Sequence, residues 1–577
     1  MRTTDNRRVV AAVVVVVSVC ILGPALAPGY TLIGDLVFTP EQSFLPWMAG
    51  LGAGLPRSVP QDSVVALLSG PVPGWVLEKL ALAVALLGLG LGVARLVRPA
   101  GARAGAVAAV LALWSPFVAE RLLIGHWSLL LAVAMLPWAL VLADQGRVAV
   151  PGAAYRWLLV LACASLTPSG GLLLLLVTTP VLLWRRGSAI RPRLVFVALG
   201  LLLQLPWLVP AVVHPAPVVV GGAEIFALRS EGFGVLLSAL GTGGIWDAGS
   251  TPTSRGTALA LALTVSVLVL AWIGRHAFAS AVGRPVATAL FVAAAVGLTL
   301  AVAGGWSVTS PLESWPVEHV PGAGLLRDGQ KLLAPWLVLM AGSAGCGAAA
   351  LGRRLAARTG DRLVGVLVVL AAGILPLALL PDLAWGAVGR LGSVDYPADW
   401  AQARAVLAED PAPGDVVSLP WSAYRRFSWN VGRTVLDPAP RAMPRTVVVS
   451  GDLAVRHAGQ VVVVPGDDPR AERIGAATDS PDRLARVLAA EGVGWVLVES
   501  AGGTVTLPAG AMLVLSGDDL RLYRLRAPEP PPELVGVVAV IAGDAAAVLV
   551  VLGCVTALVV ARRRNRHDMH AATATGW

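Results

Sequence analysis

Charge along this chain is sorted by loop. About twelve apolar segments of spanning length alternate with loops, and every second loop carries arginine with almost no acid. The loops between them carry acids and few bases. A segment inside a bilayer must be apolar and must satisfy its own backbone hydrogen bonds, which leaves helices as the solution here. Arginine-rich short loops stay on the cytoplasmic side. The chain is therefore constrained to a polytopic helical bundle whose acids face outward.

Composition supports this and excludes other classes. Of 577 residues, 56% are hydrophobic and only 14% charged, which no ordinary soluble domain of this size shows. The net charge of +9 sits largely in loop arginines beside anionic lipid, so it does not indicate a nucleic-acid partner. The only lysines, Lys79 and Lys331, fall at expected outer helix ends. Cys20, Cys163, Cys346 and Cys554 are scattered through apolar segments and offer neither a disulfide framework nor metal-ligand spacing.

The expected spans are 9–28, 76–97, 104–119, 127–142, 155–168, 170–184, 194–213, 256–274, 285–303, 332–352, 363–380 and 537–561. Arg7 and Arg8 precede the first, and Ala25-Leu26-Ala27 at its end resembles a signal-peptidase site; retention as a first span is the expectation, since many spans follow. Inner loops then hold Arg95, Arg98 and Arg103, the Arg185-Arg186 pair and Arg353-Arg354, with Arg562-Arg563-Arg564 opening the tail. Both termini come out cytoplasmic, in a plasma membrane. Residues 1–381 form the membrane module, with a long first outer loop at 29–75. Residues 382–530 form an extracytoplasmic domain, and 531–577 hold the last span and a basic tail. In 382–530, short β-rich runs such as Val461–Val464 and 494–498 surround a helical stretch at 482–491, which predicts a small α/β domain. The run Pro528-Glu529-Pro530-Pro531-Pro532 reads as a stiff linker.

Candidate chemistry concentrates in the outer loops. In Gly34-Asp35-Leu36-Val37-Phe38-Thr39-Pro40-Glu41-Gln42, Thr39 reads as a helix N-cap, Pro40 as the first helical residue and Gln42 as the close of a capping box. A short interfacial helix carrying Phe44, Leu45, Trp47, Met48 and Leu51 would follow. Glu41 then has an ordinary role in a first turn. Asp35 has none: it stands among apolar residues, where an uncompensated carboxylate is costly. It is either a solvated or backbone-capping aspartate or a catalytic base. Asp62 and Glu41 are possible acid partners. Glu120-Arg121 and His126 crowd a short outer turn. In Pro321 to Lys331, Arg327 and Lys331 stand four apart and would share one helix face. Cations at an outer edge run against the positive-inside tendency, and a phosphate partner would explain them; the alternative is membrane anchoring. Trp421, Tyr424, Arg425 and Trp429 combine aromatic faces with a guanidinium, which suits either a sugar or docking onto the membrane face.

No Walker loop, dinucleotide-binding glycine pattern, HExxH or nucleophile elbow appears in a plausible context, so ATP use is not expected. The layout resembles the GT-C superfamily of polytopic membrane glycosyltransferases, particularly the arabinofuranosyl- and mannosyltransferases of actinobacterial cell envelopes. The shared features are the long first outer loop with its early Asp35, the interfacial helix behind it, many spans and an external C-terminal region. The resemblance implies a polyprenyl-phosphate sugar donor, an envelope glycan acceptor and reaction at the outer face. Asp35 would be general base, and Arg327, Lys331, Arg121 and His126 would meet the donor phosphate. Trp421, Tyr424, Arg425 and Trp429 would meet the acceptor. No cofactor is specified, and a divalent metal is compatible with this chemistry. A transporter or flippase for lipid-linked saccharide, or a non-catalytic assembly scaffold, is the competing expectation; the apolar span centres, apart from Gln204 and Asp544, weigh against transport.

Overall fold

The computed structural model describes residues 2–52, 57–184, 190–214, 222–320, 322–457, 460–502, 505–526, 528–530 and 534–574. Arg185, Arg186, Pro321, Pro531 and Pro532 lie outside them.

Nine helices among the described residues are long and apolar enough to cross a membrane, and a tenth span forms if the bent pair Ile190–Leu202 and Leu205–Val213 counts as one. The pair bends by 53° at its break, where Pro206 opens the second helix. Of the about twelve expected, nine or ten are thus long enough among the described residues, and two more are shorter apolar helices. The segments expected at 155–168 and 170–184 are helices Ala153–Ala164 and Pro168–Leu183, of 12 and 16 residues. At about 1.5 Å per residue both fall short of a hydrocarbon core of about 30 Å. Apolarity was right there; length was not.

Two elements form the centre of the bundle. The window of Ala102–Leu123 is 94% buried and that of Gly329–Thr359 is 83% buried, whereas peripheral spans are mostly lipid-facing. The 334–359 helix packs closely because small residues line it. A Cβ on Gly347 would lie 2.0 Å from the Leu270 carbonyl oxygen, and one on Gly274 would lie 1.9 Å from that of Ser343. Either substitution would force these helices apart.

The C-terminal region holds strands β1 (Asp415–Leu419), β2 (Tyr424–Arg426), β3 (Thr434–Leu436), β4 (Val447–Val448), β5 (Leu453–His457), β6 (Gln460–Val464), β7 (Val493–Glu499), β8 (Met512–Ser516) and β9 (Leu520–Arg524). Five of them form a sheet in the order β4-β1-β7-β9-β8. β1 runs parallel to β4 and β7, while β9 is antiparallel to β7 and β8. β7 is buried at all seven positions, as a central strand covered on both faces must be. The helix Pro481–Ala490 starts where its sequence says it should: Ser480 caps it and Pro481 occupies the first turn. Its Leu484 and Leu488 pack with Val417, Val496 and Val498 of the sheet.

The interfacial helix expected behind Thr39 is absent. Residues 41–45 have no regular structure, and only a single 3₁₀ turn, Pro46–Ala49, follows. The Thr39 hydroxyl faces the carbonyls of Glu41 and Arg441 instead of capping a helix. Pro46 also disfavours helical backbone at Leu45, which is extended.

A candidate active site around Asp35

Asp35 is placed by two glycines that face each other. Gly34 has φ +52° and Gly125 has φ +86°. A Cβ on Gly34 would lie 2.1 Å from the Ile124 carbonyl oxygen, and one on Gly125 would lie 2.2 Å from the Leu36 nitrogen. The loop carrying Gly34 and the 124–126 turn can interlock only without side chains at these points. The contact is secured by the Asp35 N–H donating to the Ile124 carbonyl at 2.9 Å. On its other side the loop joins the C-terminal region. Gly34 donates to Thr434 and accepts from Leu436, adding an edge to the β2–β3 hairpin. The Asn430 amide donates to the Leu32 carbonyl. Asp35 thus sits where membrane module and C-terminal region meet.

Both carboxylate oxygens of Asp35 receive a donor. The Tyr424 hydroxyl donates to Oδ1 at 2.6 Å, and His126 Nε2 lies 3.2 Å from Oδ2. The Asp35 side chain nevertheless keeps 38% of its exposure, so it remains open to a reactant. Burial pushes its carboxyl up, but the hydrogen bond from His126, then the hydrogen bond from Tyr424 and the charge of Arg441, bring it below the usual aspartate value. The Tyr424 phenol is driven well above its ordinary value by burial and by Asp35, so it stays a donor.

The state of His126 follows from its other neighbour. Its Nδ1 lies 2.8 Å from an Arg121 guanidinium nitrogen. Arginine only donates, so Nδ1 accepts and the ring hydrogen sits on Nε2, aimed at Asp35. Arg121 is fully buried and holds Asp328 in a two-pronged pair, with Nη2 to Oδ1 at 2.7 Å. Asp328 adopts φ +66°, a strained conformation for a residue with a side chain, and the pairing fixes it. Burial would raise its carboxyl; the charge and hydrogen bond of Arg121, with the charge of Lys331, take it below the usual range. The left-handed residue also breaks the helix expected across 327–331. Ala323–Leu326 and Gly329–Leu333 are separate 3₁₀ turns, so Arg327 and Lys331 do not share a face of one helix.

Arg327 is half-buried, and its Nε has no partner among the described residues. Burial and the like charge of Arg57 lower its guanidinium below the ordinary arginine value, while Asp467 offsets part of this. Arg57 itself pairs with Asp467 at 2.8 Å and is 62% exposed. Two arginines and one aspartate leave an uncompensated cation beside the recess.

The remaining candidates lie as follows. Glu41 is 70% exposed and pairs with Arg404. Asp62 is buried against Arg441 at 2.9 Å, and Arg441 also acts on Asp35. Trp429 packs among Tyr396, Trp400 and Phe427, stacked on Phe427 at 4.8 Å. Tyr396 in turn donates to the Phe38 carbonyl, so this cluster fastens the C-terminal region onto the first loop. Arg425 is buried between Asp437 at 2.8 Å and Glu499 at 2.6 Å. Among the described residues no group of three or more His, Cys, Asp or Glu side chains is gathered to hold a metal ion.

Sequence reading missed Arg57, Gly34 and Gly125 as parts of this site. It also missed the buried Glu231–Arg255 pair, which braces the 241–247 loop near Glu120: Glu120 accepts from the Ile245 N–H at 3.0 Å, and Glu231 from that of Gly244.

No protein-family model matches the sequence, and no curated protein matches it significantly. Solved structures do. The arabinofuranosyltransferase AftD from Mycobacteria aligns with 90% of this chain at TM-score 0.55 and 16% identity. Its R1389S mutant aligns with 91% at TM-score 0.56 and 17% identity. The chain spans only about 40% of the length of that protein. ArnT from Cupriavidus metallidurans, bound to undecaprenyl phosphate, aligns more loosely, at TM-score 0.41 and 14% identity over 90% of this chain and 99% of its own. At these identities the likeness shows the fold alone: over about 90% of its length this chain shares the fold of AftD, a many-helix membrane protein fold of the kind expected from the sequence.

Proposed function

We propose that this chain is a membrane glycosyltransferase that moves a sugar from a polyprenyl-phosphate donor to a cell-envelope glycan at the outer face of the membrane. Its arginine distribution supports cytoplasmic termini and an external C-terminal domain. The observation that carries the reading is Asp35: a carboxylate fixed by two neutral donors, open to a reactant and adjacent to an uncompensated cationic patch. Asp35 takes the proton of the acceptor hydroxyl as general base. The acceptor oxygen bonds to the anomeric carbon as the bond from that carbon to the phosphate oxygen breaks, inverting the centre. The lipid phosphate leaves with the electron pair, stabilised by Arg327, Arg57 and Lys331. Arg121 and His126 act on the base side: Arg121 holds His126 in its donating tautomer, and His126 orients Asp35. The fold shared with an arabinofuranosyltransferase supports a furanosyl or related donor.

The test is transfer of labelled sugar from polyprenyl-phosphate arabinose or mannose to short oligosaccharides by the purified full chain in lipid. Asp35→Asn keeps the size and shape of the side chain and should lower transfer by roughly 10²–10⁴-fold, the range of general-base contributions, while the protein stays folded. Full activity in that variant removes Asp35 as base. No wild-type transfer with any donor, despite donor binding, would shift the reading to a transporter or scaffold.

A further inference from the structure

A cavity of about 470 Å³ opens in the C-terminal region and is lined by Trp421, Ser422, Tyr424, Arg425, Thr478 and Thr506, among others. It lies where β1 and β7 end, at Leu419 and Glu499, and those two strands are parallel neighbours. Open α/β sheets bind ligands in the crevice beyond the carboxyl ends of such strands, and this volume is within the usual range for small-ligand sites.

The lining specifies the ligand. Arg425 brings no free charge, because Asp437 and Glu499 neutralise it from within the domain. What remains is an indole, a phenol and hydroxyls: one flat apolar face and several neutral hydrogen-bonding groups. That set suits a sugar ring, with its apolar C–H face and its rim of hydroxyls. It offers no net charge to a phosphate. Arg327, whose Nε has no partner among the described residues, and Arg57, which shares Asp467 with it and acts on Tyr424, are not part of this lining. Tyr424 joins the cavity to the Asp35 recess: its side chain belongs to the cavity wall while its hydroxyl donates to Asp35.

We infer that this crevice is the acceptor subsite: it holds a neutral saccharide unit of the acceptor glycan and presents the next hydroxyl to Asp35 across Tyr424. The inference rests on the glycosyltransferase reading for its role, but saccharide binding at the crevice stands on its own. Trp421 supplies the stacking face, and Thr506 supplies a hydrogen-bonding hydroxyl.

The experiment uses the full chain in lipid nanodiscs with short neutral arabinofuranosyl and mannosyl oligosaccharides as probes. Saccharide binding is read by saturation-transfer NMR, and acceptor KM, kcat and donor KM are read by transfer. Trp421→Ala should weaken saccharide binding and raise acceptor KM by about tenfold or more, with donor KM within about twofold. Thr506→Val keeps the shape of its side chain and should raise acceptor KM by a smaller factor, which covers the case in which Trp421→Ala misfolds. Unchanged saccharide binding in both folded variants overturns the inference. So does preferential binding of a phosphorylated sugar at the crevice. If no donor supports transfer but saccharide binding is lost in Trp421→Ala and kept in Asp35→Asn, the transferase reading fails and the crevice remains a saccharide site.

Discussion

The Asp35 recess and the Arg425 cluster contain similar ingredients and do opposite things. In the cluster, one guanidinium is fully enclosed by two carboxylates and the Ser418 hydroxyl. The guanidinium there is answered within the protein, and the Asp437 and Glu499 side chains have no exposure. In the recess, the carboxylate is answered by a phenol and an imidazole, and the nearby guanidinium of Arg327 is not fully answered. A sealed charge cluster holds a fold together; an open carboxylate with neutral donors and a spare cation is equipped for a reactant. The difference lies in whether each charge is already neutralised, which residue type alone does not reveal.

The comparison is broken most forcefully by removing one arginine from each region. Arg425→Gln leaves two buried carboxylates without their cation and should cost about 3–5 kcal/mol of stability. It should appear as a large drop in thermal midpoint of the C-terminal region. Arg327→Gln should leave that midpoint unchanged and lower kcat/KM for the lipid donor by roughly 10–100-fold, the worth of a charge-assisted contact to phosphate. If Arg425→Gln were neutral and Arg327→Gln destabilising, the two regions would have been assigned the wrong way round.

How much of this could be read in the sequence depends on the distance over which partners act. Asp35 stands out because a carboxylate among apolar residues needs a reason, and that argument is local. The spans stand out because lipid demands an apolar length. Tyr424 could be noticed as part of an aromatic and arginine-rich run, but its place on Asp35 spans a separation of 389 residues. His126 and Arg121 read naturally as phosphate ligands; what redirects them is Asp328, 207 residues from Arg121. The helix expected behind Thr39 failed for a related reason: the local capping pattern was real, but Thr39 instead serves the Arg441 backbone, 402 residues away. Gly34 and Gly125 look like ordinary loop glycines until the two loops are seen to interlock.

A finer contrast comes from pH. Asp35 acts as an ionised base, and its carboxyl is held below the usual value. Transfer should therefore persist into the acid range and fall away as pH drops through that lowered value. His126→Phe removes a donor that stabilises the carboxylate, so the acid limb of kcat/KM should move to higher pH. Arg425 substitutions have no contact with Asp35 among the described residues and should leave that limb in place wherever the protein is folded. A limb that stays fixed in His126→Phe would show that the imidazole does not tune the base.

The smallest expected effect belongs to Glu499. Burial and the charge of Asp437 push its carboxyl well above the usual glutamate value, and Arg425 only partly opposes them. Between its unfolded value of about 4.3 and its raised folded value, the native state binds more protons than the unfolded chain. Stability must then fall as pH rises through that window. Glu499→Gln keeps the shape and hydrogen-bonding reach of the side chain but cannot ionise. Its stability at neutral pH should differ from wild type by less than about 1 kcal/mol. The decline in stability on going from acid to neutral pH should flatten. The cluster would thereby prove to need one carboxylate beside Arg425 and merely to tolerate the second, whereas the recess, tested by Asp35→Asn under the same conditions, admits no such replacement of its carboxylate.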